Sequence, residues 1–146
     1  MSKLFIYYSF TGNGDLVAKQ MEQYGYETYK IIAKRSLPKS FFWSVFIGGF
    51  LSAINHKSKL VDFNVDISKY DEIVIGTPIW CGKIACPTAS ALAKLDLSEK
   101  KVSFVLYSGG GESPKAIEYL TNKYNAKVIE IKEPKKYGLE ALELFK

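Results

Sequence analysis

Three short stretches of this 146-residue chain hold residue types that could bind a ligand. The first is Ser9-Phe10-Thr11-Gly12-Asn13-Gly14. A phosphate monoester needs many donors and a close backbone approach. Two hydroxyls, an amide and successive backbone N–H groups at the start of a helix provide both. The two glycines admit conformations that a Cβ forbids. The stretch contains no Lys or Arg, so mainly neutral dipoles would hold the anion. It lacks both G-K-[ST] and G-x-G-x-x-G, which separates it from a Walker A loop and from a dinucleotide fingerprint. A plain strand-to-helix turn with an Asn cap is the bland reading of the same residues.

The second stretch is Thr77-Pro78-Ile79-Trp80-Cys81-Gly82. A tryptophan on a loop can stack on a flat ring, or it can simply cover a sheet edge. The third is Ser108-Gly109-Gly110-Gly111, where bare backbone amides could crowd against a planar ligand. A flexible turn would look the same.

Other reactive side chains point nowhere so definite. Cys81 and Cys86 have no histidine cluster near them, which argues against a metal site, and two cysteines are no disulfide scaffold. No arginine stands six residues after either cysteine, as a cysteine phosphatase would need. His56, the single histidine, falls in a polar stretch and reads as a surface residue. Tyr7 and Tyr8 end an apolar run and read as core. Ser9, Thr11 and Gly76-Thr77 stand where a receiver domain would carry its acidic residues and phosphoacceptor.

The elements that position these stretches follow from local pattern. Residues 4–8 form a short apolar, aromatic run ended by turn residues, the mark of a buried strand. A helix is expected from Asp15, with Leu16, Met21 and Tyr24 on its apolar side and Gly25 at its end. Further strands are expected at 26–32, 72–76, 101–107 and 126–132. Pro87 opens one helix, Ser113-Pro114 caps another through Lys123, and 137–146 reads as a closing helix. Thr77 to Lys83 reads as a loop. The apolar stretch from Phe41 to Ile54 is too short to span a bilayer and is interrupted by Gly48-Gly49. It reads as helical turns that pack partly on the sheet and partly toward the ligand end.

Strands alternating with helices indicate one α/β domain over 1–146, a three-layer, doubly wound sheet of five parallel strands. All three ligand stretches then follow strand carboxyl ends, where open α/β sheets bind ligands.

Over nearly its whole length the chain resembles the flavodoxin family. Tyr8-Ser9-Phe10-Thr11-Gly12-Asn13 looks like that family's FMN phosphate loop. Thr77 to Gly82 looks like the loop flanking one flavin face, and Ser108 to Gly111 stands in the place of the second flavin loop. The resemblance implies a flavodoxin-like fold with strand order 2-1-3-4-5, non-covalently bound FMN and a redox function. It also implies that the Cys81–Gly82 peptide turns over when the flavin takes one electron, which requires positive φ at a residue such as Gly82. The chain departs from the family at Gly14, where a hydroxyl residue usually closes the phosphate loop.

Composition separates some functions. Twenty basic residues against fifteen acidic ones give a net charge of +5, but the lysines are scattered. That speaks against nucleic acid and for steering toward an acidic redox partner protein. Arg35 is the single arginine, a thin provision for clamping a nucleotide phosphate. An electron-transfer flavodoxin is therefore expected ahead of an NAD(P)H-dependent FMN reductase of quinones or similar acceptors. The start Met1-Ser2-Lys3 has no signal-peptide pattern, so a cytoplasmic monomer or homodimer is expected, away from membranes.

Overall fold

The computed structural model describes residues 2–10, 12–33, 60, 63–80, 82–109 and 113–146. The Phe41 to Ile54 stretch, Arg35 and His56 lie outside the described residues. The elements are β1 (Lys3–Tyr7), α1 (Asn13–Gln23), β2 (Glu27–Lys30), β3 (Glu72–Trp80), β4 (Lys83–Ile84) and α2 (Cys86–Leu92). They continue with β5 (Lys101–Ser108), α3 (Pro114–Tyr124), β6 (Lys127–Lys132), α4 (Pro134–Tyr137) and a closing 3₁₀ turn, Glu140–Phe145.

Five of the strands run parallel in the order β2-β1-β3-β5-β6, which is the 2-1-3-4-5 order expected of successive parallel strands. The apolar runs explain why the middle of the sheet is buried on both faces. Successive side chains alternate sides. Leu4, Ile6, Ile73, Ile75, Phe104 and Leu106 pack with Ala91, Leu92, Ala116 and Leu120 of α2 and α3. Phe5, Tyr7, Val74, Val105 and Tyr107 pack with Val17, Ala18 and Met21 of α1 and with Leu142 and Phe145. The result is helix, sheet, helix, as a doubly wound chain requires. Parallel register sets Phe5 opposite Val74 and Ile6 opposite Ile75, bringing the ends of β1 and β3 to one edge.

Three expectations are corrected. Residues 77–80 are strand, not loop: β3 runs on to Trp80 and folds back on β4, pairing Ile79 with Ile84 and Trp80 with Lys83. Thr77 and Pro78 still have β5 beside them, opposite Leu106 and Tyr107, so the ladder continues past the apolar run. The closing helix is two pieces, with Gly138 at φ +94 between α4 and the 3₁₀ turn. Helix α1 starts at Asn13, so Asn13 is its first residue and Gly12 takes the capping position.

Candidate functional site

The turn after β1 is built by packing and by capping together. Tyr8 N–H still donates to Gly76 O at 3.0 Å, holding the chain against β3. The chain then turns, and Ser9 Oγ accepts from Asp15 N–H at 3.3 Å, meeting one otherwise unpaired donor of the first helical turn. Gly12 begins α1 at φ +94, a left-handed conformation in which a side chain would be strained. Gly14 has a different requirement. A Cβ there would stand 2.6 Å from the Tyr107 hydroxyl, 2.8 Å from Ser9 Cβ and 3.0 Å from Tyr8 O. The hydroxyl residue usual at this point in flavodoxins has no room, because Tyr107 occupies the space and donates its own O–H to Tyr8 O.

Charges around this turn are matched. Asp15, in the first turn of α1, pairs with Lys30 at 2.8 Å and accepts from the Tyr7 hydroxyl at 3.3 Å. Burial, and then Asp15, push the Tyr7 phenol up to about 12, and burial lifts Tyr8 to about 12 as well. The fully buried Tyr107 moves in the same direction for the same cause. All three are neutral phenols at ordinary pH.

The loop's own residues include no cation, but one approaches from elsewhere in the chain. Lys135 of α4 reaches it: a Cβ on Gly12 would lie 2.7 Å from Lys135 Nζ and 2.9 Å from its Cε. The Lys135 backbone N–H donates to Asn13 Oδ1 at 3.3 Å, across a separation of 122 residues. No periodicity or local motif could have announced that meeting.

The second stretch is the β3–β4 hairpin. Thr77 is fully buried, and its hydroxyl accepts from Thr88 Oγ1 at 2.8 Å and from Ala85 N–H at 3.4 Å. Pro78 O accepts from Ala85 N–H at 3.1 Å. These bonds fasten the hairpin to the start of α2. Ile79 and Trp80 are half-buried. The Trp80 ring meets Tyr8 and Phe10 edge-to-face, each with centroids 5.9 Å apart. Phe10 thus joins the first stretch to the second. Gly82 sits at φ +77, and a Cβ there would meet nothing within 4 Å.

The third stretch begins at Ser108, the last residue of β5, whose carbonyl accepts from Glu133 N–H at 3.0 Å. Gly109 is exposed and also has open space at its Cβ position. Thr11, Cys81, Gly110 and Gly111 lie outside the described residues. Ser9, Phe10, Gly12, Asn13, Gly14, Pro78, Ile79, Trp80, Ser108 and Gly109 all stand at the carboxyl ends of β1, β3 and β5, which are neighbours in the sheet. Gly82 is in the β3–β4 turn, and Thr77 lies beneath, in the core. Cys86 is buried at the start of α2. No helix among the described residues is long and apolar enough to cross a membrane.

No protein-family model and no curated protein matches the chain. Solved structures do. A Bacteroides eggerthii protein assigned to the flavoproteins aligns with a TM-score of 0.79 at 18% identity, over 99% of this chain and 97% of that one. A Lactobacillus acidophilus flavoprotein solved in complex with FMN aligns with a TM-score of 0.71 at 20% identity, over 92% and 95%. The azoreductase AzrA aligns with a TM-score of 0.53 at 14% identity, over 99% and 93%. At these identities the likeness establishes the fold: the chain has the flavodoxin-like α/β fold.

Proposed function

We propose that this chain binds FMN non-covalently at the carboxyl edge of its sheet and works as an electron carrier. The observation that carries the reading is the start of α1. It opens from a left-handed Gly12 at the ends of β1 and β3, the place where sheets of this order bind ligands. The neighbour from Lactobacillus acidophilus, with the same fold, was solved with FMN.

The residues present fit the group. First-turn N–H groups, the Asn13 amide and the Lys135 ammonium suit a phosphate monoester. Trp80 offers a flat apolar surface one strand away, and Gly82 and Gly109 carry no side chain to block a ring edge. Bound FMN supplies electron transfer through its isoalloxazine ring. The chain binds and orients it. Asn13 and the α1 N-terminus hold the phosphate, with Ser9 holding the first turn of α1 in place. Tyr8 and Phe10 fix the Trp80 ring from two sides, and Pro78 and Ile79 continue that wall. Thr77 positions the hairpin through Thr88 and Ala85. Ser108 and Gly109 approach the opposite ring edge with backbone groups. The +5 net charge steers an acidic redox partner protein toward the site.

Titrating FMN into the protein tests the binding reading. Quenched flavin fluorescence and a retained yellow chromophore after desalting are expected. A flavin that elutes free at all concentrations would overturn it.

The second reading is an NAD(P)H-dependent reductase of quinones or similar small acceptors, which the likeness to azoreductase AzrA keeps in view. Steady-state NADH and NADPH oxidation by the FMN-loaded protein separates the two. An electron carrier turns over neither without a partner.

A further inference from the structure

Two surface clusters set lysines around an exposed tyrosine, and they differ in charge balance. On α3, Tyr119 is 51% exposed, and Lys123 Nζ donates to its hydroxyl at 3.0 Å. Glu118 shares a shallow depression with Lys115 and Lys123, so both signs of charge are present there. Where β6 passes into α4, Tyr137 is 55% exposed, and Lys132 and Lys136 stand with Nζ 5.0 and 5.4 Å from its ring centroid. Among the described residues neither of these two ammoniums forms a hydrogen bond or an ion pair. Glu133, the carboxylate on the same turn, pairs with neither.

Backbone fixes where the second cluster stands. Glu133 is held at φ +34 and donates its N–H to Ser108 O at 3.0 Å. The Lys136 and Tyr137 N–H groups both return to Glu133 O, at 2.8 and 3.0 Å, and buried Pro134 seats the turn. Lys132 is opposite Ser108 in the β5–β6 ladder, a strand spacing of about 4.8 Å from the third ligand stretch. The cluster therefore lies at the carboxyl edge of the sheet, beside the candidate site, whereas the α3 cluster lies along a helix.

Two ammoniums at one ring repel each other, and no described carboxylate offsets them. Carboxylates on a partner surface would pair with both. The tyrosine between them supplies flat contact area with a polar tip, the kind of residue that anchors interfaces. We propose that Lys132, Lys136 and Tyr137 form the docking surface for an acidic electron-transfer protein, whose carboxylates pair with the two ammoniums around the Tyr137 ring. The inference rests on the FMN reading above and gives the partner a place on the molecule.

Stopped-flow reduction of the FMN-loaded protein by excess reduced, acidic iron–sulfur ferredoxin tests it, with each ferredoxin cluster giving up one electron to the flavin. The wild-type second-order rate constant should fall as salt is added. Lys132→Gln/Lys136→Gln should lower it roughly 10-fold at low salt and flatten the salt dependence. Tyr137→Ala should lower the rate but keep the wild-type salt dependence. Lys115→Gln/Lys123→Gln removes the same charge from α3 and should stay near wild type, and all four proteins should bind FMN alike. A Lys132→Gln/Lys136→Gln variant reduced as fast as the α3 control, or a wild-type rate that does not fall with salt, would overturn the docking surface and leave the FMN reading standing. So would an FMN-loaded wild type that the ferredoxin does not reduce. A wild type that retains no FMN would overturn the FMN reading, and this inference with it.

Discussion

The β1–α1 turn and the β3–β4 hairpin both present glycine at the carboxyl edge of the sheet, yet they are held in opposite ways. Gly14 is enclosed, with three atoms at 2.6 to 3.0 Å from where a Cβ would be. Gly82 is open, with nothing within 4 Å. The first turn is determined by packing of β1, β5 and α1 around it. In the second, Thr77, Pro78 and Ala85 hold the strands on either side, and at the glycine itself only the backbone angle, φ +77, restricts the residue. An enclosed glycine in one turn therefore stands beside an open glycine in the other.

The largest break in this comparison should come from Gly14→Ala. Overpacking against Tyr107 and Ser9 should cost roughly 1–3 kcal/mol of unfolding free energy. Displacing the start of α1 should also remove most FMN binding. Urea denaturation and FMN titration measure the two losses, and a variant as stable as wild type would show that the turn is not tightly held.

Tyr107→Phe removes the hydroxyl that donates to Tyr8 O. A lost buried hydrogen bond should cost roughly 1–2 kcal/mol. Because that hydroxyl is the atom nearest the Gly14 Cβ position, the double variant Gly14→Ala/Tyr107→Phe should be more stable than the two separate losses sum to. Ser9 Cβ and Tyr8 O still crowd the site, so the rescue should be partial. Strict additivity in denaturation curves would mean the two residues do not share the space.

The enclosed turn should also have a pH signature. Burial and Asp15 raise Tyr7 in the folded protein from 10.0 to about 12. The folded state then holds its proton more tightly than the unfolded chain. Stability from this group is complete below pH 10 and declines as pH rises toward 12. Tyr7→Phe should flatten the decline, and denaturation midpoints at pH 9 and 11 for both proteins give the answer. An identical slope in the variant would place the alkaline loss elsewhere.

The smallest effect belongs to the open turn. Gly82→Ala puts a Cβ into a left-handed conformation at a cost of about 1 kcal/mol, with no steric clash to add. FMN affinity should change little. The one-electron potential of the bound flavin should shift by roughly 40 mV if the hairpin changes conformation with redox state. Spectroelectrochemical titration of variant and wild type measures it. An unchanged potential would mean that the hairpin is as fixed as the enclosed turn.

Much of this architecture was legible in local pattern. The runs Leu4–Tyr7, Ile73–Ile75 and Phe104–Tyr107 are apolar without alternation because helices cover both faces, and with helices between them they imply a parallel, doubly wound sheet. The stretch from Ser9 to Gly14 announces a strand-to-helix turn because its glycines and short polar side chains are needed within a few residues of one another. Pro87 and Pro114 marked the starts of their helices correctly for the same local reason.

Tertiary structure decided what depends on partners distant in sequence. Thr77-Pro78-Ile79-Trp80 follows the apolar run and reads locally as a loop, but β5 and β4 pair with it and make it strand. The crowding that requires glycine at position 14 comes from Tyr107, and the ammonium over Gly12 comes from Lys135. Neither contact leaves a trace in periodicity or spacing, because each arises only when the sheet has set the ends of β1, β3, β5 and β6 on one edge. Burial pattern is a property of each segment and is written in its residues. The meeting of two segments is a property of the folded chain.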